Sequence, residues 1–95
     1  MDAEIKRKWV EALRSGKYKQ GRDQLQNGDT YCCLGVLCVV AGLPIFSGNS
    51  TDPGNVSYQG IYDLGVHHLT CPKLWSMNDS GRPFPEIADY IEANL

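Results

Sequence analysis

Apolar residues recur every three or four positions near both ends of the chain, the spacing that places them on one face of an α-helix. Near the N-terminus, Ile5, Trp9 and Leu13 follow this spacing, with Asp2 placed to cap the helix and Gly16 placed to end it. Near the C-terminus, the apolar stripe consists of Ile87, Ala88, Ile91 and Leu95. The pattern therefore predicts one helix at each end of the chain.

The longest apolar segment, residues 31–42, contains three of the four cysteines. It is too short to cross a bilayer, which requires about 20 residues, so we interpret it as a buried core element. Its length favours a helix over a strand, and Gly42 is placed to end that helix. The side chains expected to face the core are Leu34, Leu37, Cys38 and Ala41.

The helical spacing stops between residues 17 and 30. Tyr18 and Gln20 indicate one short strand and Leu25 a second, while Asn27-Gly28-Asp29 has the composition of a hairpin turn. Residues 43–60 predict a long polar loop, with a short strand over 56–62, and residues 74–77 predict a single helical turn. These elements predict a compact α+β fold with about three helices and a small antiparallel sheet or hairpin.

Length and charge limit the function classes. A chain of 95 residues suits a single domain, residues 1–95, and its marginal stability leads us to expect a homo-oligomer. A net charge of −2 gives no general attraction for phosphate backbones, so we do not expect binding to long nucleic acids. We find no signal peptide and expect a cytoplasmic protein without a membrane partner, whose cysteines stay reduced.

The cysteines and histidines raise the question of a metal site. Soft and borderline ligands for tetrahedral zinc are present as Cys32, Cys33, Cys38, Cys71, His67 and His68. No two cysteines of the apolar segment have the i, i+4 spacing that places both on one helical face. We therefore favour cysteines that pack as small hydrophobic residues, and predict no metal or cofactor. A zinc-stabilised structural module remains an alternative.

Two catalytic arrangements are also conceivable from the sequence. Cys32 or Cys33, near a helix start, would need a nearby histidine to become a nucleophile. His68-Leu69-Thr70 is an H-x-T tripeptide, of which two-histidine phosphodiesterases require two copies, and this chain has one. We therefore predict that the protein is not an enzyme, and keep a nucleotide hydrolase as an alternative.

Basic residues are concentrated in the first quarter of the chain, where they alternate with aromatic and amide side chains. In such a group the cations would pair with phosphates, a tyrosine would stack on a base, and Gln20 or Asn78 would read the base edge. A solvated basic rim beside a helix is the alternative interpretation. The candidate ligand-binding residues are Arg14, Lys17, Tyr18, Lys19, Gln20, Arg22, Tyr31 and Asn78.

Three segments together cover about half of the chain: KWVEALRSGKYKQG at residues 8–21, YCCLGVLC at 31–38, and MNDSG followed by FPEIADYIE within 77–92. They resemble a family of small proteins encoded by tailed phages and prophages, without an assigned function. Residues 43–72, which include Cys71 and both histidines, do not match that pattern. The resemblance implies a phage origin and an infected bacterial cell as the location.

A phage origin changes the expected function, because small phage proteins often counter host defences. We expect a phage anti-defence protein that acts as a homo-oligomer and sequesters a phosphate-bearing, cyclic nucleotide immune signal without cleaving it. In size and in its basic and aromatic residues, the chain is similar to the small oligomeric proteins known as sponges. The main alternative is a protein-binding inhibitor of a host enzyme, acting through residues 43–60 or the acidic last helix.

Overall fold

Five α-helices and three short strands make up the described part of the computed structural model, which covers residues 1–22, 25–43 and 56–95. The helices are α1 (Ala3–Arg14), α2 (Cys33–Ala41), α3 (Val56–Asp63), α4 (Thr70–Asp79) and α5 (Phe84–Asn94). The strands are β1 (Lys19–Gln20), β2 (Gln26–Asn27) and β3 (Thr30–Tyr31). None of these helices is both long enough and apolar enough to cross a membrane.

Helix α1 begins and ends where the sequence predicts. The Asp2 carboxylate accepts two backbone N–H groups of the first turn, at 2.7 and 3.2 Å, and Gly16 has a left-handed φ of 74°. The apolar face of α1 packs against α5 and α2. The indole Nε1 of the buried Trp9 donates to the carbonyl oxygen of Cys33 at 2.8 Å. Trp9 therefore links α1 to the start of α2.

The helix predicted in the cysteine segment is confirmed, but its first six residues are buried on every face and not on one face only. Every residue from 33 to 38 is buried, because α2 contacts α1, α3 and α4. The Cys32 thiol takes the place of the usual cap oxygen and accepts the N–H of Gly35 at 3.4 Å. Gly42 ends the helix with a φ of 74°. A helix that packs against three others has little space around it, and cysteine and glycine occupy little of that space.

β3 is the central strand of a small mixed sheet. It pairs in parallel with β1, where Lys19 lies opposite Thr30, and antiparallel with β2, where Gln26 lies opposite Tyr31. Gly28, between β2 and β3, has a φ of 62°, the left-handed value that an Asn-Gly turn requires. The sheet holds the segment that follows α1 against β3.

The predicted α+β fold, with about three helices and a small antiparallel sheet, is wrong. The described residues form five helices, and their sheet consists of strands only two residues long with both parallel and antiparallel pairing. The helices that sequence analysis missed are α3, where we expected a strand over 56–62, and most of α4, where we expected one turn. The chain is mostly helical.

Burial explains the missed helix α3, and the position of a proline explains the missed helix α4. The Val and Tyr residues of α3 favour strands intrinsically, but Ile61 is fully buried in the shared core, and burial outweighs such propensities. Pro72 lies in the first turn of α4, where its missing N–H removes no intrahelical hydrogen bond. Of the loop predicted over 43–60, residues 56–60 belong to α3, and 44–55 lie outside the described residues.

Helix α2 lies directly against the backbone of Leu25, so Gly35→Ala tests the packing of this core. A Cβ at Gly35 would collide with the carbonyl oxygen of Leu25. Helix propensity alone predicts that the alanine stabilises the protein by about 1 kcal/mol. We expect instead a loss of about 3 kcal/mol or more, because a collision with backbone is not relieved by a change of rotamer.

Urea unfolding followed by circular dichroism measures this difference. Val39→Ala is the control, since Val39 lies on an exposed position of the same helix, and we expect it to change the free energy of unfolding by less than about 1 kcal/mol. A Gly35→Ala protein as stable as the wild type would contradict the close packing.

Candidate functional site

Arg14 lies apart from the other predicted ligand-binding residues, at the contact between α1 and α5. Its Nη2 is 2.6 Å from Asp89 Oδ1 and 2.6 Å from Glu92 Oε2. The hydrogen bonds that Arg14 donates to Asp89 and, second, to Glu92 raise the pKa of Arg14. The charge of Arg14 is therefore already neutralised within the chain.

Asn78 has a fully buried side chain whose hydrogen-bonding capacity is completely used. Its Oδ1 accepts the backbone N–H of Cys33 at 3.2 Å and Nε2 of Gln20 at 3.0 Å. Its Nδ2 donates to the carbonyl oxygen of Gly21 at 2.7 Å and to Asp79 Oδ1 at 3.2 Å. A carboxamide has two donor and two acceptor positions, so no edge of Asn78 is left for a base. Asn78 instead joins β1, α2 and α4.

Gln20 extends this network to the loop between α4 and α5. Its Nε2 donates to Asn78 Oδ1 and also to the carbonyl oxygen of Arg82, at 2.6 Å. Both N–H groups of the amide are thus engaged. The network fixes the end of β1 to a loop that is 62 residues further along the chain.

The other basic side chains around β1 define a cationic face, consisting of Lys17, Lys19, Arg22 and Arg82. All four side chains are exposed. Lys19 Nζ lies 3.4 Å from Asp29 Oδ2, whereas the other three form no ion pair with any residue that the structure describes. Sequence analysis missed Arg82, because only the long-range contact with Gln20 places it here. The neighbouring MNDSG motif was the one local signal.

Tyr18 and Tyr31 stand beside the cationic face. Their ring centroids are 5.6 Å apart with an interplanar angle of 89°, an edge-to-face pair, and both rings pack against the core. Lys17 Nζ lies over the Tyr18 ring, 5.9 Å from its centroid. The pair therefore provides a fixed aromatic wall next to three exposed cations.

The H-x-T tripeptide lies at the opposite end of α4 from Asn78. Thr70 begins this helix, and the rise of a helix places Asn78 about 12 Å further along its axis. The exposed rings of His67 and His68 stack with centroids 4.3 Å apart. His67 Nδ1 accepts the N–H of Leu69 at 3.1 Å, so a neutral ring carries its proton on Nε2. The tripeptide is not placed to act on a ligand at the cationic face.

All four cysteines are reduced and buried. Burial raises the pKa of Cys32 to about 11, of Cys38 to about 12 and of Cys71 to about 11, and it raises the pKa of Cys33 as well. A cysteine nucleophile is a thiolate, whereas these buried thiols stay protonated at neutral pH. Within the described ranges, no cluster of three or more His, Cys, Asp or Glu is arranged to hold a metal. The thiols therefore act as packing groups.

A groove of about 330 Å³ runs between α1 and α5. Arg7 pairs with Glu11 at 3.0 Å, and Lys6 Nζ donates to the carbonyl oxygen of Glu92 at 3.2 Å. With Arg14 also paired, the basic residues of this lining are all engaged within the chain and leave no cation for a phosphate. The lining consists of Ala3, Lys6, Arg7, Val10, Glu11, Arg14 and Glu92.

Residues 1–42 match the model of a family described as a domain of unknown function (DUF8296). The matched part contains α1, the three strands and α2, and therefore most of the cationic face, whereas Asn78 and Arg82 lie outside it. No curated protein and no solved structure matches the chain.

Asn78→Ala tests the buried hydrogen-bond network. The substitution leaves the buried N–H of Cys33 without its acceptor and the carbonyl oxygen of Gly21 without its donor. An unsatisfied buried group costs about 1–3 kcal/mol, so we expect a loss of about 3 kcal/mol or more in urea unfolding. Asn94→Ala is the matched control, because Asn94 is exposed and bonds only the carbonyl of Tyr90; a similar loss in both variants would contradict the network.

The raised thiol pKa values predict that stability falls at high pH. In the unfolded chain the Cys38 thiol has its ordinary pKa of 9.0, whereas burial in the folded protein raises this pKa to about 12. The unfolded state then binds fewer protons, so stability is fully present below pH 9.0 and is lost as the pH rises towards about 12. The slope for this group is at most about 1.4 kcal/mol per pH unit.

Urea unfolding of wild type and Cys38→Ala at several values between about pH 8 and about pH 11 measures this slope. Lysine and tyrosine titrations are common to both proteins, so the difference between their slopes reports Cys38. We expect the shallower slope in Cys38→Ala, and identical slopes would show that the thiol is not protected by burial.

Proposed function

We propose that this protein binds a phosphate-bearing small molecule at the cationic face without changing it covalently. The observation that supports this most is that Lys17, Arg22 and Arg82 are exposed and form no ion pair among the described residues. Cations without an internal partner are the ones available to a ligand. Ion pairs within the chain already engage Arg7, Lys8, Arg14 and Lys19.

The cationic face combines the contacts that nucleotide recognition uses. A guanidinium binds phosphate oxygens in pairs, and each hydrogen bond to a charged group contributes about 1.5–3 kcal/mol. A base stacked on an aromatic ring contributes about 1–3 kcal/mol. At Tyr18 the base would replace the Lys17 ammonium and release it towards a phosphate. Two or three such contacts, reduced by the lost freedom of the ligand, correspond to a Kd of about 1–100 µM.

The position of the reactive side chains supports binding over hydrolysis. The thiols are buried and protonated. The H-x-T tripeptide lies at the other end of α4 from Asn78, about 12 Å along the helix axis. The face itself combines cations, amides and phenol rings, which position phosphates.

The biological form of the proposal rests on the resemblance to phage and prophage proteins. In that setting the ligand is a nucleotide immune signal in the cytoplasm of an infected bacterium. The protein would hold the signal intact, as a homo-oligomer, and so keep it from its receptor. A protein-binding inhibitor remains the competing function, and no contact in the described residues favours it.

Isothermal titration calorimetry with ADP-ribose, a cyclic dinucleotide and inorganic phosphate tests this proposal. We expect at least one nucleotide to bind with a Kd of about 100 µM or tighter. Arg22→Gln removes one exposed guanidinium and should weaken that binding at least about tenfold. Lys8→Gln removes the same charge from the far side of α1, where Lys8 is 3.7 Å from Glu4, and should change it less than about twofold.

The state of the ligand separates the alternatives. Nucleotide that is recovered intact after heat denaturation supports sequestration. Recovery of hydrolysis products would show instead that the protein is a nucleotide hydrolase. If the folded protein gives no heat with any of the three probes, the proposed function is wrong.

A further inference from the structure

The loop between α4 and α5 brings a second guanidinium to the cationic face. From this we infer that Arg22 and Arg82 form a clamp for two adjacent phosphates, so that the preferred ligand is a nucleotide with a linear diphosphate linkage. This inference rests on the proposed function and specifies its ligand class. It assigns a binding role to Arg82, which is far from Arg22 in the sequence.

Two contacts place these arginines on neighbouring segments. The amide of Gln20, two residues before Arg22, donates to the carbonyl oxygen of Arg82 at 2.6 Å. Nη2 of Arg22 lies 3.2 Å from the position that a Cβ on Gly81 would occupy. The guanidinium of Arg22 therefore reaches the residue that precedes Arg82, and a long exposed side chain at position 82 can converge on the same anion.

Gly81 keeps this approach open. Its φ of 99° lies in the left-handed region that favours glycine. Any side chain at this position would lie in contact with the Arg22 guanidinium. The absence of a Cβ leaves that surface of the guanidinium accessible to a phosphate.

The clamp has a rigid base. Gln20 connects the backbone of Arg82 to the fully buried Asn78, whose own hydrogen bonds are all satisfied. Anchoring both segments to one buried group lowers the entropy lost when a ligand is bound. Asp79 Oδ1 accepts a hydrogen bond from the same Asn78, so its carboxylate also belongs to this rigid base.

The chemistry of the two side chains selects the ligand class. Each guanidinium is a planar fork that binds one phosphate bidentately. Two forks on adjacent segments match the two neighbouring negative charges of a diphosphate. A cyclic dinucleotide carries single charges on phosphodiesters separated by its ring, so it engages one fork at a time. ADP-ribose has the adjacent phosphates, together with a base for Tyr18 or Tyr31.

Calorimetry with ADP-ribose and a cyclic dinucleotide tests the clamp. We expect ADP-ribose to bind at least about tenfold more tightly than the cyclic dinucleotide. Arg82→Gln should weaken the binding of ADP-ribose at least about tenfold, and that of the cyclic dinucleotide less than about threefold. Lys73→Gln is the matched control, since Lys73 is also exposed and unpaired among the described residues, and it should alter neither affinity by more than about twofold.

Arg82→Lys distinguishes bidentate binding by a guanidinium from simple charge attraction by an ammonium group. It keeps the charge but loses bidentate geometry, so we expect it to recover less than half of the lost binding free energy. Circular dichroism of every variant establishes that the fold is retained, which we expect because the Arg82 side chain is exposed.

The outcomes separate the clamp from the proposed function. If Arg22→Gln weakens nucleotide binding and Arg82→Gln does not, the clamp is wrong and the proposed function stands. Tighter binding of the cyclic dinucleotide than of ADP-ribose would overturn the ligand class. If no probe binds the folded wild type, both proposals fail together.

Discussion

The carboxamide of Asn78 is the interaction on which the rest of the structure depends. It is the one polar side chain found fully buried in the described core, and it connects β1, α2 and α4. Both lone pairs of its oxygen and both N–H groups are used, by Cys33, Gln20, Gly21 and Asp79. If only some of these hydrogen bonds formed, the protein would be less stable than with an apolar residue at position 78, because an unpaired polar group in a small core is strongly destabilising. The network specifies how β1 meets α2 and α4.

Around this network, α2 is the central element of the core. It contacts three other helices, and its buried positions combine the large side chains of Leu34 and Leu37 with the small groups of two cysteines and Gly35. Gly35 allows backbone contact with Leu25, and thiols fill the remaining space. The burial that makes the thiols good packing groups also raises their pKa and keeps them protonated at neutral pH.

Sequence analysis succeeded where the signal was local and failed where it was distant. The Asp2 cap, the stops at Gly16 and Gly42 and the stripe of α5 depend on residues a few positions apart, and the structure contains them. α3 was missed because long-range packing overrides its strand propensity, and α4 because its proline falls in the first turn, where a helix tolerates it. The same limit applies to the site: the MNDSG motif marks this region, but only long-range contacts show that Asn78 is a buried connector and that Arg82 lies beside Arg22.

Stability and binding meet in Gln20, and this determines which substitutions are informative. Gln20 donates to the buried Asn78 and to the backbone of Arg82, so removing it would loosen the core and displace the clamp at once. A loss of ligand binding in such a variant would not distinguish a base-reading amide from a structural one. Arg22 and Arg82 are different, because their side chains are exposed. The function of this face is therefore best assigned through its arginines, while its amides report the fold beneath it.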